Sequence, residues 1–144
     1  MNTTPDTDDR GATRLGWAGV IPFAALAAAA WVPAWAGFAQ LAFVAYSAVI
    51  LSFLGGVRWG RAMAGGGAGE FVRSVLPSLV AWVALLVAGA AAVPVLAAAF
   101  VAVWLNDSLF DRLPAPAWFR RLRAGLTAAV LACHVLVFAA QLAA

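Results

Sequence analysis

Lysine is missing from this chain, cysteine and histidine occur once each, and charged residues of either sign make up only 10% of the sequence. Each shortage removes a class of protein. A single cysteine, Cys133, rules out an intrachain disulfide, and a single histidine, His134, rules out a histidine-rich metal cluster. No metal ligand set and no cofactor is therefore expected. The chain also lacks a P-loop, a dinucleotide fingerprint, an HExxH pair, a nucleophile elbow and a CxxC pair, so no residue is assigned a catalytic role. With so few charges there is no soluble domain to display a basic surface, and no nucleic-acid partner is expected.

What replaces the missing polar residues is apolar sequence. The chain is 65% hydrophobic with a mean hydropathy of +0.95, far from the soluble average of about 25% charged residues. A hydrocarbon core about 30 Å thick asks for roughly 20 apolar residues per helix. Alternating apolar and polar strands are absent, which leaves helices as the means of satisfying the backbone in lipid. The class is an all-α membrane protein.

Residues 1–14 carry Asp6, Asp8, Asp9, Arg10 and Arg14 among small polar residues, a composition that reads as a short disordered tail. The three aspartates and the span-length apolar run that follows argue against a cleaved signal peptide. Leu15 to Val57 then contains 43 residues without a charge, about 64 Å as one straight helix. That is twice the bilayer core, so the run must fold back. Pro33 to Gly37 offers the turn, flanked by Trp31 and Trp35 as interfacial residues. The first two spans are predicted at about 15–32 and 38–57.

The uncharged run from Ser74 to Asn106 is ambiguous by length, but Gly89 and Pro94 permit a tight hairpin of two short spans, about 74–88 and 93–105. Charge decides the matter. A last span at about 124–142 completes a five-helix bundle that places all nine arginines on one side, as the positive-inside rule asks of cytoplasmic loops. One span in the ambiguous run would split them five against four. The expectation is a single transmembrane domain over 15–144, N-terminus cytoplasmic and C-terminus outside, integral to a bacterial inner membrane. Its partners would be membrane lipids, with anionic headgroups at the arginine-bearing face.

Within the spans, Ala48, Ser52, Gly56 and Gly60 recur every fourth residue and read as a small-residue stripe for helix contact, either within the monomer or along a homodimer seam. Arg58, beside Trp59, is the most inward arginine. Arg58 or Arg61 is expected to pair with Asp107 or Asp111, carboxylates that a helix C-terminus disfavours. Ser74 reads as an N-cap with Pro77 in the first turn, and Ser74, Ser78 and Trp82 share a face. Thr127, His134 and Gln141, seven residues apart, form a polar stripe that should face the bundle interior.

Three blocks, Ile50 to Gly60, Ser74 to Trp82 and Pro116 to Thr127, together resemble the membrane proteins grouped as domain of unknown function 3429, the transmembrane protein 69-like family. The matching positions include Gly55, Gly56, Trp59, Gly60, Pro77, Trp82, Pro116, Trp118, Arg123 and Thr127; His134 lies outside them. The resemblance implies a five-span inner-membrane protein and assigns no activity. The expected function is a non-enzymatic scaffold or accessory subunit with a membrane-protein partner. The alternatives are a small transporter or channel component using His134 and an Arg/Asp layer, and a lipid-directed enzyme.

Overall fold

The computed structural model describes residues 5–65, 68–87, 89–110 and 116–144. Among these residues there is no strand. Six helices, α1 (Pro5–Ala18), α2 (Ile21–Ala29), α3 (Ala36–Met63), α4 (Ala68–Val87), α5 (Ala92–Phe110) and α6 (Ala117–Ala143), follow one another along the described residues. They provide five segments long and apolar enough to cross a membrane, at Arg10–Ala29, Ala36–Met63, Ala68–Val87, Gly89–Leu109 and Ala117–Ala143.

The first span is built from two helices. Pro22 lacks the N–H that would bond the carbonyl of Ala18, and its ring crowds that carbonyl. The helix accordingly breaks at Gly19–Val20 and restarts with the proline in its first turn. A break at membrane depth frees backbone polar groups that lipid cannot satisfy. Tyr46 on α3 answers it, its hydroxyl donating to the carbonyl of Gly19 at 3.0 Å. The helix of α1 begins at Pro5, inside the segment expected to be a disordered tail, so the span starts earlier than Leu15.

The other boundaries shift as well, outward at both ends of α3, α5 and α6 and at the start of α4, but inward at the end of the first span, where α2 stops at Ala29. The turn at Ala30–Trp35 falls where the Pro33 signal placed it, with Trp31 and Trp35 exposed. From there α3 runs for 28 residues, about 42 Å, six residues past Val57. Arg58 and Arg61 therefore stand on the helix and not in a loop, because the glycines do not break it and Arg58, Arg61, Ala62 and Met63 are good helix formers. In the ambiguous run, Gly89 at φ +75° and a turn of 3₁₀ helix at Gly89–Ala91 divide α4 from α5, confirming two spans. Residues of α4 begin at Ala68, so Pro77 sits in the helix interior. Ser74 is not a cap: its hydroxyl donates to the carbonyl of Phe71 at 2.6 Å.

Helix α3 packs along α4, and α2 sits against α3 and α6. Helix α5 touches α3, α4 and α6, and α1 lies on α6. The centre of the bundle is aromatic. Phe23 meets Phe43, Tyr46 and Phe100 edge to face, with ring centroids 5.5, 4.9 and 6.2 Å apart. In lipid the apolar surface gains little from leaving solvent, so such packing and close helix approach must hold the spans together.

Candidate functional site

A charged layer forms where α3 and α5 end and α4 and α6 begin. Arg58 is buried, at 7% exposure, because it follows Leu51 and Gly55 on the inward face of α3. Its Nη2 donates to Asn106 Oδ1 at 2.5 Å. Its Nε lies 3.4 Å from Asp107 Oδ1 and its Nη2 lies 3.9 Å from Glu70 Oε2. Asp107 Oδ1 has no hydrogen bond in the strict geometric sense, so the contact with Arg58 is an ion pair without a well-aligned donor. The other oxygen of Asp107 accepts from Arg123 Nη2 at 2.5 Å. Glu70 also accepts from Arg73, at 3.0 Å, one turn along α4. Among the described side chains, Arg58, Glu70, Arg73, Asn106, Asp107 and Arg123 thus tie four helices to one another.

The expected pairing of Arg58 with Asp107 is present. Asp111 lies outside the described residues; Arg61 is half-buried and makes a polar or ring contact of its own. Three partners in the layer are not singled out by charge or spacing in the sequence. Arg123 stands out in the sequence only through the family resemblance, although an arginine in the second turn of the following helix is well placed to reach back to Asp107. Asn106 and Glu70 carried no signal beyond proximity to charge.

The small-residue stripe is displaced by one residue. A Cβ on Gly55 would overlap the backbone oxygen of Ser74 and lie 3.6 Å from Pro77 Cβ, whereas one on Gly56 or Gly60 would meet nothing within 4 Å. Gly55 is therefore the close-contact glycine of α3 against α4. Ser52 is half-buried, and Gly56, Trp59 and Gly60 face outward, Trp59 covering Phe71 edge to face at 4.9 Å. The reason is helical geometry. At 100° per residue, a four-residue step advances 40° around the helix, so Ala48, Ser52, Gly56 and Gly60 wind off the face. The buried row is Ala48, Leu51, Gly55, Arg58 and Ala62, alternating steps of three and four. On α4 the buried row is likewise Ser74, Pro77, Ala81 and Ala84, which leaves Trp82 59% exposed.

The seven-residue stripe behaves differently, since seven residues return within about 20° of the start. Thr127 and His134 are buried, and Gln141 is half-buried with Oε1 enclosed and unpaired. His134 donates from Nδ1 to the carbonyl of Val130 at 2.8 Å, and Phe23, Phe43 and Phe100 surround its ring with centroids 5.9, 4.8 and 5.5 Å away. Its Nε2 and the hydroxyl of buried Ser47 have no hydrogen-bond partner. A cavity of about 120 Å³ beside Arg58 is lined by Arg73, Pro77, Val80, Ala99, Val103 and Asn106, among others; His134 is not in its wall. The ring of His134 is thus enclosed by three phenylalanines. Replacement of the ring by a side chain of similar volume should then be mild. His134→Leu is expected to change stability by less than about 1 kcal/mol, and His134→Ala, which empties the aromatic cage, to cost about 3 kcal/mol. Unfolding in mixed micelles measures both; equal losses would show that the imidazole's polarity, not its volume, is required.

Among the described residues no three histidine, cysteine, aspartate or glutamate side chains gather into a metal-holding group. Trp118 stands in the first turn of α6 behind Pro116, and a cleft of about 510 Å³ opens between that turn and α1, lined by Arg10, Thr13, Arg14, Trp17, Trp118, Arg121 and Leu122.

Five apolar spans with their described arginines gathered at one end of the bundle define a multi-pass integral membrane protein. Residues 9–139 match the family described as protein of unknown function (DUF3429), and the chain belongs to that family. It is also 40% identical over 126 residues to transmembrane protein 69 of Xenopus tropicalis, an alignment that takes in 78% of this chain. The chain spans 47% of that relative's length. No solved structure matches it significantly.

Proposed function

We propose that this protein is a non-enzymatic scaffold or accessory subunit of a cell membrane, a bacterial inner membrane in the first instance, with the arginine-bearing end in the cytoplasm. The observation that carries the reading is the closure of the charged layer. Glu70 and Asp107, the carboxylates among the described side chains of that layer, are each engaged by two arginines. A carboxylate serving as acid, base or ion ligand must be presented to a substrate in a protonation state suited to the task. These two instead strap α3, α4, α5 and α6 into one unit. The ring-enclosed His134 supports the same reading against a transporter, since a proton or ion path would need a wet connection from it to the layer.

A scaffold must have something to hold. Crosslinking in native membranes followed by identification of the products is expected to recover a reproducible membrane-protein partner or a homodimer through the outward face of α3. Recovery of the monomer alone would overturn the proposal. A reporter fused after Ala144 and active only outside the cytoplasm should show activity; a silent one would reverse the orientation.

A further inference from the structure

We infer that the cleft between α1 and the start of α6 is a binding site for the phosphate headgroup of an anionic phospholipid. Its wall brings Arg10, Arg14 and Arg121 together with Thr13, Trp17 and Trp118, so that three cations and a hydroxyl surround a space flanked by two indoles. The residues come from two helices far apart in sequence but packed against each other. Their separation is set by close packing: a Cβ on Gly16 would lie 3.0 Å from the Leu126 side chain, and one on Gly125 would lie 3.4 Å from Trp17 Cζ2. The floor of the cleft is thus Trp17 resting on Gly125.

Electrostatics at the mouth of α6 adds to the side chains. Its N-cap is Pro116, which supplies no side-chain acceptor to the first turn, and the positive end of a helix of 27 residues favours an anion there. The arginines match phosphate geometry through paired N–H groups. Tryptophans occupy the headgroup level of a bilayer, and basic pockets between spans at the cytoplasmic side accept anionic heads.

The chemistry of the other half of the wall selects a lipid over a soluble anion. Trp17, Trp118 and Leu122 offer apolar surface beside the guanidinium groups. A free phosphate makes no use of it, whereas a phospholipid lays its glycerol and upper acyl chains along such a surface while its phosphate meets the arginines. Arg120 provides an internal comparison, being exposed on the same helix turn but absent from the cleft wall.

The test is native mass spectrometry of the purified full chain in detergent, titrated with phosphatidylglycerol, with phosphatidylcholine, and with inorganic phosphate as competitor. Arg14→Gln with Arg121→Gln is expected to weaken phosphatidylglycerol binding about 30-fold, from about 1 kcal/mol for each arginine. Arg61→Gln with Arg120→Gln removes the same charge from outside the cleft and is expected to weaken it less than about threefold. Both doubles should melt within a few degrees of the parent, which separates lost binding from lost folding. Equal weakening by the two doubles would reduce the site to diffuse surface attraction and overturn the inference. So would equal retention of phosphatidylcholine, or displacement of the lipid by inorganic phosphate at matching concentration, which would mark a soluble-anion site. Loss of lipid binding leaves crosslinking to a protein partner unaffected, so failure here is distinct from failure of the scaffold proposal.

Discussion

Gly55→Ala is expected to destabilise the bundle by about 3 kcal/mol or more, while Gly56→Ala, one residue along, changes stability by less than about 0.5 kcal/mol. The added methyl at position 55 would overlap the Ser74 backbone oxygen. That atom belongs to the helix itself, so no side-chain rotation can clear the way. Helices α3 and α4 must separate or slide, and every contact along their shared face is loosened with them. In lipid this face has no hydrophobic gain to fall back on, since the displaced residues meet acyl chains about as readily as each other. At position 56 the methyl points into open space and helix propensity slightly favours alanine. Unfolding by denaturing detergent from mixed micelles compares the two directly. Equal losses would mean that the outward glycine face is also packed, which in a monomeric preparation would contradict the close-contact role of Gly55.

Asp107→Ala should produce the second large loss, about 2–3 kcal/mol, after discounting for the partial exposure of the pair. Asp107 is 19% exposed and its partners Arg58 and Arg123 are 7% and 18% exposed. Removing the carboxylate leaves the Arg58 guanidinium enclosed with Asn106 and a more distant Glu70 at 3.9 Å. An uncompensated buried charge is the main liability. Adding Arg58→Met to Asp107→Ala should therefore recover about 1–2 kcal/mol, because the second substitution removes the stranded charge and keeps the apolar stem's volume. If the double variant is less stable than Asp107→Ala alone, the guanidinium is satisfied without Asp107 and the layer is not the strap described. A simple charge reversal between Asp107 and Arg123 is not expected to rescue, because it would put a cation at position 107 against Arg58.

Much of the architecture is legible in the amino-acid sequence. The length of the charge-free runs, the Pro33 and Gly89 turn signals and the one-sided arginines predicted five spans, and five are found. These features are properties of the chain taken along its length. A helix must be long enough to cross, a charge must stay out of hydrocarbon, and a turn must supply the backbone freedom that Gly89 has at φ +75°. Helix ends were less legible. Arginine, alanine and methionine continue a helix well beyond the hydrocarbon, so α3, α4 and α6 all extend past the limits set by hydropathy.

The site divides in the same way. The Arg58–Asp107 contact and the inward stripe of Thr127 and His134 could be read from charge cost and seven-residue spacing. The choice of Gly55 over Gly56 could not be read from a four-residue match, because 40° of drift per step turns a stripe in sequence into a spiral on the helix.

By itself the sequence determined the membrane as solvent, the number of crossings and the end at which the arginines collect, since backbone hydrogen bonding and charge desolvation act on each segment separately. Only the tertiary structure decided that Asp107 is shared between two arginines, that Gly55 carries the closest approach of α3 to α4, that three phenylalanines enclose His134, and that Tyr46 caps the break made by Pro22. Each of those depends on which residues from distant segments arrive at the same depth and azimuth. Close packing between helices, not the composition of any one of them, sets that arrangement.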